Sequence, residues 1–157
     1  LRDSPDCEVM QAQWAVLEDA LAKGKTRSLG VINYCQKSLS CLLETAKVKP
    51  DIHYYMLHVG MGTDPWGLRT FGESRGIRTF AYGAVGEPGP NAELLQSPIL
   101  AKIGKAHNNR SAEEVALRWV LQSGAAVSVR PTTEFGLGVS ACRGDSSCEN
   151  GLKSRAG

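Results

Sequence analysis

The chain has 157 residues, 42% hydrophobic and 22% charged, with 18 basic against 16 acidic side chains and a formal charge of +2. That length and balance suit one ordinary globular domain, and no stretch approaches the ~20 apolar residues of a membrane span. With no long Lys/Arg run and a near-neutral charge, the composition gives no reason to expect nucleic acid or an anionic bilayer as partner, so any anion site has to be local.

In chain order, Met10, Trp14, Leu17 and Leu21 recur at the spacing of one helix face, and Lys23-Gly24-Lys25 closes that helix. Ser28 to Asn33 is short and β-branched, with Gly30 inside it, and reads as a buried strand. A helix follows from Gln36 to Lys47, with an apolar stripe of Leu39, Leu42, Leu43 and Ala46, and Lys49-Pro50 breaks it. Asp51 to Val59 is nearly all apolar or aromatic, as expected of a strand covered on both faces. Gly60 to Pro65 reads as a loop, Trp66 to Arg75 as a helix closed by Gly76, and Ile77 to Ala84 as the third strand. A Gly/Pro-rich loop, Gly86 to Asn91, precedes a helix from Pro98 to His107. Ser111 and Glu114 have capping-box spacing and open a helix that runs to Gln122, and Ala125 to Val129 is the fourth strand. Residues 132–157 form a polar, glycine-rich tail, set apart from a first region spanning 1–131.

The five cysteines, Cys7, Cys35, Cys41, Cys142 and Cys148, match no zinc spacing. An odd count without a signal peptide points to a reducing, cytoplasmic setting; Cys142 and Cys148, in a polar Gly/Ser segment, have the spacing of a small disulfide loop but are expected to stay reduced there. The absence of an initiator Met and the abrupt last residues make both ends read as cut. The three histidines read as non-catalytic. His53 and His58 lie five apart, on opposite faces of a strand, and no metal site is expected.

Strands alternating with helices imply parallel crossovers and an α/β fold, either an open doubly wound sheet or part of a closed barrel. The glycine fingerprint of a dinucleotide-binding open sheet is missing, since Gly86-Glu-Pro-Gly89 does not fit it.

Several segments together resemble the aldo-keto reductases. Arg27 to Tyr34 is similar to that family's fifth-strand motif R-x-I-G-V-S-N-F, and Phe80 to Gly86 is similar to its seventh-strand A-Y-S-P-L-G. Val115-Ala-Leu-Arg-Trp119 and Val127-Ser-Val-Arg-Pro131 follow in the right order. The resemblance covers about Trp14 to Pro131. It implies a partial (β/α)8 TIM barrel, roughly strands five to eight with their helices, because a whole barrel takes about 250 residues. It implies NADP(H) as cofactor and a small-molecule aldehyde or ketone as substrate of the full-length parent, with no membrane or nucleic-acid partner. Asn33 matches the residue that bonds the nicotinamide carboxamide. Tyr54 stands where the family has a Gln, and Tyr82 matches the aromatic that stacks on the ring. Gly83 and Val85 stand at the pyrophosphate, and Arg130 matches the cation at the adenosine 2′-phosphate.

The departures from the pattern are also specific. Ile32 replaces a Ser, Met56 a Glu, and Tyr54 a Gln. No catalytic residue of the family has a counterpart, since its Asp, Tyr, Lys and His belong to the first four strands. Each assigned residue also has a plain structural role open to it. Asn33 suits a turn, Tyr54 and Tyr82 suit packing, Arg130 suits a solvated loop, and Trp66 and Trp119 read as packing anchors. The chain alone is therefore expected to be inactive. The competing readings are a diverged, non-catalytic half-barrel that binds or assembles, self-associating through exposed sheet edges, and a truncated product with too much apolar area uncovered to fold.

Overall fold

A computed structural model describes residues 1–86 and 92–129. Helix α1 (Cys7–Ala22) opens where the Asp6 carboxylate accepts from the N–H groups of Glu8 at 2.9 Å and Val9 at 3.2 Å. Strand β1 (Gly30–Ile32), helix α2 (Gln36–Thr45), strand β2 (Ile52–Met56), helix α3 (Leu68–Glu73) and strand β3 (Arg78–Tyr82) follow. Helix α4 (Pro98–Ala106), helix α5 (Ala112–Gln122) and strand β4 (Ala126–Val127) complete the order, with short 3-10 turns at Val59–Met61, Pro65–Gly67 and Ala92–Gln96. The expected order of helices and strands is the observed one, in an α/β fold. The strands are shorter than expected: β2, read as Asp51 to Val59, spans Ile52–Met56, and β4, read as Ala125 to Val129, spans Ala126–Val127.

The chain forms two compact units. Unit 1 comprises Leu1–Met56 and Thr63–Phe80, and unit 2 comprises Leu57–Gly62 with the described residues from Ala81 onward. In unit 1, β1 and β2 are parallel, with Gly30 opposite Ile52, Val31 opposite His53 and Ile32 opposite Tyr54. Gly30 is required by this register, since a Cβ there would stand 2.5 Å from Ile52 Cγ1. The next pairing is seen where the Arg78 N–H donates to Asp51 O at 3.0 Å. On the other side of β1 the Ile32 N–H donates to Leu1 O at 2.7 Å, and Arg2 makes a parallel bridge to Ile32. In unit 2, the Leu57 N–H donates to Tyr82 O at 3.1 Å and the Ser128 N–H to Ala81 O at 2.8 Å. The strand order is β1-β2-β3-β4.

The core of unit 1 is Met10, Trp14, Leu29, Val31, Tyr34, Leu39, Leu42 and Ile77. Trp14 seals it and donates its indole N–H to Val48 O at 2.9 Å. Burial alternates along the strands: Val31, His53 and Tyr55 are buried, while Ile32, Ile52, Tyr54 and Met56 are half-exposed. β2 was expected to be covered on both faces; only one of its faces is fully covered. In unit 2 the capping box forms as expected. The Glu114 N–H donates to Ser111 Oγ at 3.2 Å and the Ser111 N–H to Glu114 Oε2 at 2.7 Å.

The helix expected from Trp66 begins instead at Leu68, and Trp66 is no packing anchor: it is 72% exposed. The Asp64 carboxylate accepts from the Arg69 N–H at 2.8 Å, which sets the start of α3 downstream. The Gln36 amide donates to Trp66 O at 2.6 Å and holds that residue at a φ of 55°.

Candidate functional site

In unit 1 the chain leaves β1 at Asn33 with a φ of 56°, the left-handed region that Asn tolerates better than most residues. Its N–H donates to Tyr54 O at 2.9 Å, so the exit of β1 is tied to β2, and Asn33 itself is exposed. Tyr54 lies on the half-exposed face, its ring centroid 5.1 Å from that of Phe80 with the planes tilted by 45°. Its register partner is Ile32, which carries no hydroxyl. The structure thus brings Asn33, Ile32 and Tyr54 together at the carboxyl end of β1, where its ladder with β2 ends and β2 runs on to Met56.

The opposite face of β2 holds two buried titratable groups, His53 and Tyr55. Tyr55 shares a hydrogen bond with Thr79 at 3.1 Å, and burial pushes its phenol up. His53, 1% exposed, packs 4.7 Å from the Tyr55 ring. Neither of its ring nitrogens has a hydrogen-bond partner, and burial pushes the imidazole down to about 4. The Tyr34 backbone opposes that drop without making a bond of ordinary geometry. The Tyr34 hydroxyl is likewise buried without a partner, and burial together with the Asp3 charge pushes it up to about 12. A neutral imidazole and two phenols shut inside a core cannot exchange protons with a bound substrate.

In unit 2, Tyr82 ends β3 and is half-buried. Gly83 follows with a φ of 64°, a turn conformation that favours glycine, and its carbonyl accepts from the Gly86 N–H at 2.8 Å. Val85 sits within that turn, half-buried. His58 is structural: its Nδ1 accepts from the Gly60 N–H at 3.2 Å inside the Val59–Met61 turn. Arg130, with Cys142, Cys148 and the tail, lies outside the described residues. Among the described residues no group of three or more His, Cys, Asp or Glu is arranged to hold a metal ion, and no helix is long and apolar enough to cross a membrane.

A model of the aldo/keto reductase family matches residues 2–134. The chain belongs to that family. It is 34% identical over 124 residues to aldo-keto reductase family 4 member C11 of Arabidopsis thaliana, an alignment covering 77% of this chain and 38% of that protein. It is 31% identical over 124 residues to NADPH-dependent codeinone reductase 1-2 of Papaver somniferum, with the same coverage of each chain. The chain therefore spans about 38% of the length of these curated relatives. Among solved structures it is similar to MGS-M4, an aldo-keto reductase enzyme from a Medee basin deep-sea metagenome library. The TM-score is 0.82 at 20% identity, covering 98% of this chain and 57% of that one, which is a likeness of fold.

Two features of unit 1 were not read from the sequence. One is the exposed Trp66, whose only signal was the Asp64-Pro65 helix start. The other is a disulfide between Cys7 and Cys41, 34 residues apart, which leaves Cys35 as an exposed free thiol among the described residues. It departs from the expectation of reduced thiols, and no spacing rule pairs the two.

Proposed function

We propose that this chain supplies the C-terminal half of an aldo-keto reductase barrel, with β1 to β4 standing as strands five to eight, and part of its NADP(H) site. The Asp/Tyr/Lys/His tetrad that completes carbonyl reduction comes from residues outside this chain. The observation that carries the reading is the tie between Asn33 and Tyr54, since ligands of barrel enzymes sit at the carboxyl ends of the strands.

The residues fit the cofactor in part. Asn33 offers an exposed carboxamide for the nicotinamide amide. Tyr82 offers a half-buried ring for stacking, while Gly83 and Val85 offer backbone N–H groups to a pyrophosphate. Arg130 provides the two-point cation for a 2′-phosphate. Ile32 cannot donate to the carboxamide, and Tyr54, packed on Phe80, meets it with a longer and stiffer group than Gln. When bound, the cofactor supplies a hydride to an aldehyde or ketone. The chain's own residues hold and orient it and provide no proton. A cytoplasmic location belongs to the same reading.

Titrating NADPH into the purified chain and following its fluorescence tests this. A saturable change is expected, and Arg130→Ala is expected to weaken NADPH, but not NADH, by about tenfold or more. No change at any NADPH concentration contradicts cofactor binding. A second reading, a non-catalytic half-barrel that assembles with a partner, is favoured by the half-exposed apolar face of Ile32, Ile52, Tyr54 and Met56. Sedimentation as a monomer contradicts self-association.

A further inference from the structure

We propose that His53 is an acid-operated latch: on taking up a proton it drives the turn Asn33–Tyr34 off β2 and breaks the tie between Asn33 and Tyr54. The latch does not rest on the cofactor reading; on that reading it also sets when Asn33 is in place.

Among the described residues, the buried side-chain atoms without a hydrogen-bond partner are the Tyr34 hydroxyl and both ring nitrogens of His53. All three lie at one place. His53 is the middle residue of the β1–β2 ladder, opposite Val31, and its ring lies against the Tyr34 backbone. Tyr34 and His53 are each 1% exposed, so nothing outside this core reaches the ring unless the turn moves.

The groups around the ring leave a proton there without a countercharge. β2 itself presents the Tyr55 phenol, its ring centroid 4.7 Å away and its hydroxyl engaged with Thr79 of β3. The exit of β1 presents the buried Tyr34 phenol, and α1 and α2 fill the core that Val31 shares with apolar side chains. The charge that acts on the ring is that of Asp3, which is exposed, and the Cys35 thiol beside the turn is exposed as well. Such a core tolerates a neutral imidazole, whereas an imidazolium has to reach water.

The way out is the turn. The β1–β2 ladder has three pairs, and the Asn33 N–H, donated to Tyr54 O at 2.9 Å, follows the last of them. Asn33 is exposed and its φ of 56° takes the chain out of the strand. Swinging this turn outward gives water to all three unpartnered atoms in one movement, while α1 stays packed through Met10 and Trp14. Proton uptake and opening are therefore linked. The closed turn is favoured above pH 6.5, the ordinary value of the ring, and is lost as the pH falls toward about 4.

The test measures amide protection factors by NMR in the isotope-labelled full chain. Between about pH 6.5 and pH 4.5 the protection of the Asn33 amide is expected to fall by about tenfold or more. The Trp14 amide in α1 and the Leu117 amide in α5 keep theirs. In His53→Leu the Asn33 amide is expected to stay protected across the range, and in Asp3→Asn the fall is expected to persist. Should His53→Leu not fold, the wild-type chain and Asp3→Asn decide between them. Asn33 protection that holds in the wild-type chain overturns the latch. So does an equal fall in His53→Leu, a fall abolished in Asp3→Asn, or loss at Trp14 in step with Asn33, which is unfolding of the unit as a whole.

Discussion

Unit 1 fills its interior with Trp14, Tyr34, Leu39, Leu42 and Ile77 and seals His53 beside them, whereas unit 2 buries Ala81, Ala84, Ala116 and Ala125 among Leu57, Leu100, Leu117 and Val120. The first interior depends on the shape of a few large side chains and carries buried polar atoms without partners. The second combines alanines with medium aliphatic side chains and is framed by a capped helix. A close-packed interior of large groups responds strongly to truncation, and buried orphan polar groups make it sensitive to pH. The interior of unit 2 has no fully buried side chain as large as Trp14 to lose among the described residues, and the ends of its helices are a further point of weakness.

The contrast can be broken most directly at Trp14. Trp14→Ala is expected to destabilise the chain by about 3–5 kcal/mol in urea unfolding, since it opens a cavity and strands the Val48 carbonyl. A loss below about 1 kcal/mol means that the core of unit 1 is not organised around the indole.

The next effect is acid sensitivity. His53 titrates near 4 in the folded chain against an ordinary 6.5, so the native state binds fewer protons than the unfolded state between those values. The stability that its neutral burial allows is present above pH 6.5 and is lost as the pH falls toward 4, by on the order of 3 kcal/mol in all. Unfolding midpoints measured from pH 7 to pH 4 should show this fall, and His53→Leu should flatten it. An equal slope in the variant assigns the acid sensitivity to other groups. The smallest effect belongs to unit 2, where Ser111→Ala removes the cap of α5 and is expected to cost about 1 kcal/mol with the pH slope unchanged.

Much of the fold was legible because periodicity and punctuation agree in this sequence. The stripe Met10–Trp14, the Ser111/Glu114 box and Gly30 each did locally what the pattern required. Trp66 was misread because its aromatic character outweighed the Asp64-Pro65 signal two residues before it, and because the Gln36 amide that holds its carbonyl lies 30 residues away. The Cys7–Cys41 pair was illegible for the same reason: contacts made by the folded chain leave no local pattern. Of the site, Asn33 and Gly83 were assigned by motif, and both have a positive φ. Tyr54 matched by alignment alone, and its packing on Phe80 followed from strand register, which a single sequence does not give.

The most direct test of the account is to titrate NADPH into the isotope-labelled chain and follow its backbone amides by NMR. The account predicts saturable shifts at Asn33, Tyr82, Gly83 and Val85, with the amides of α1 unmoved. Saturation with no shift at those four positions, or shifts confined to other segments, contradicts it.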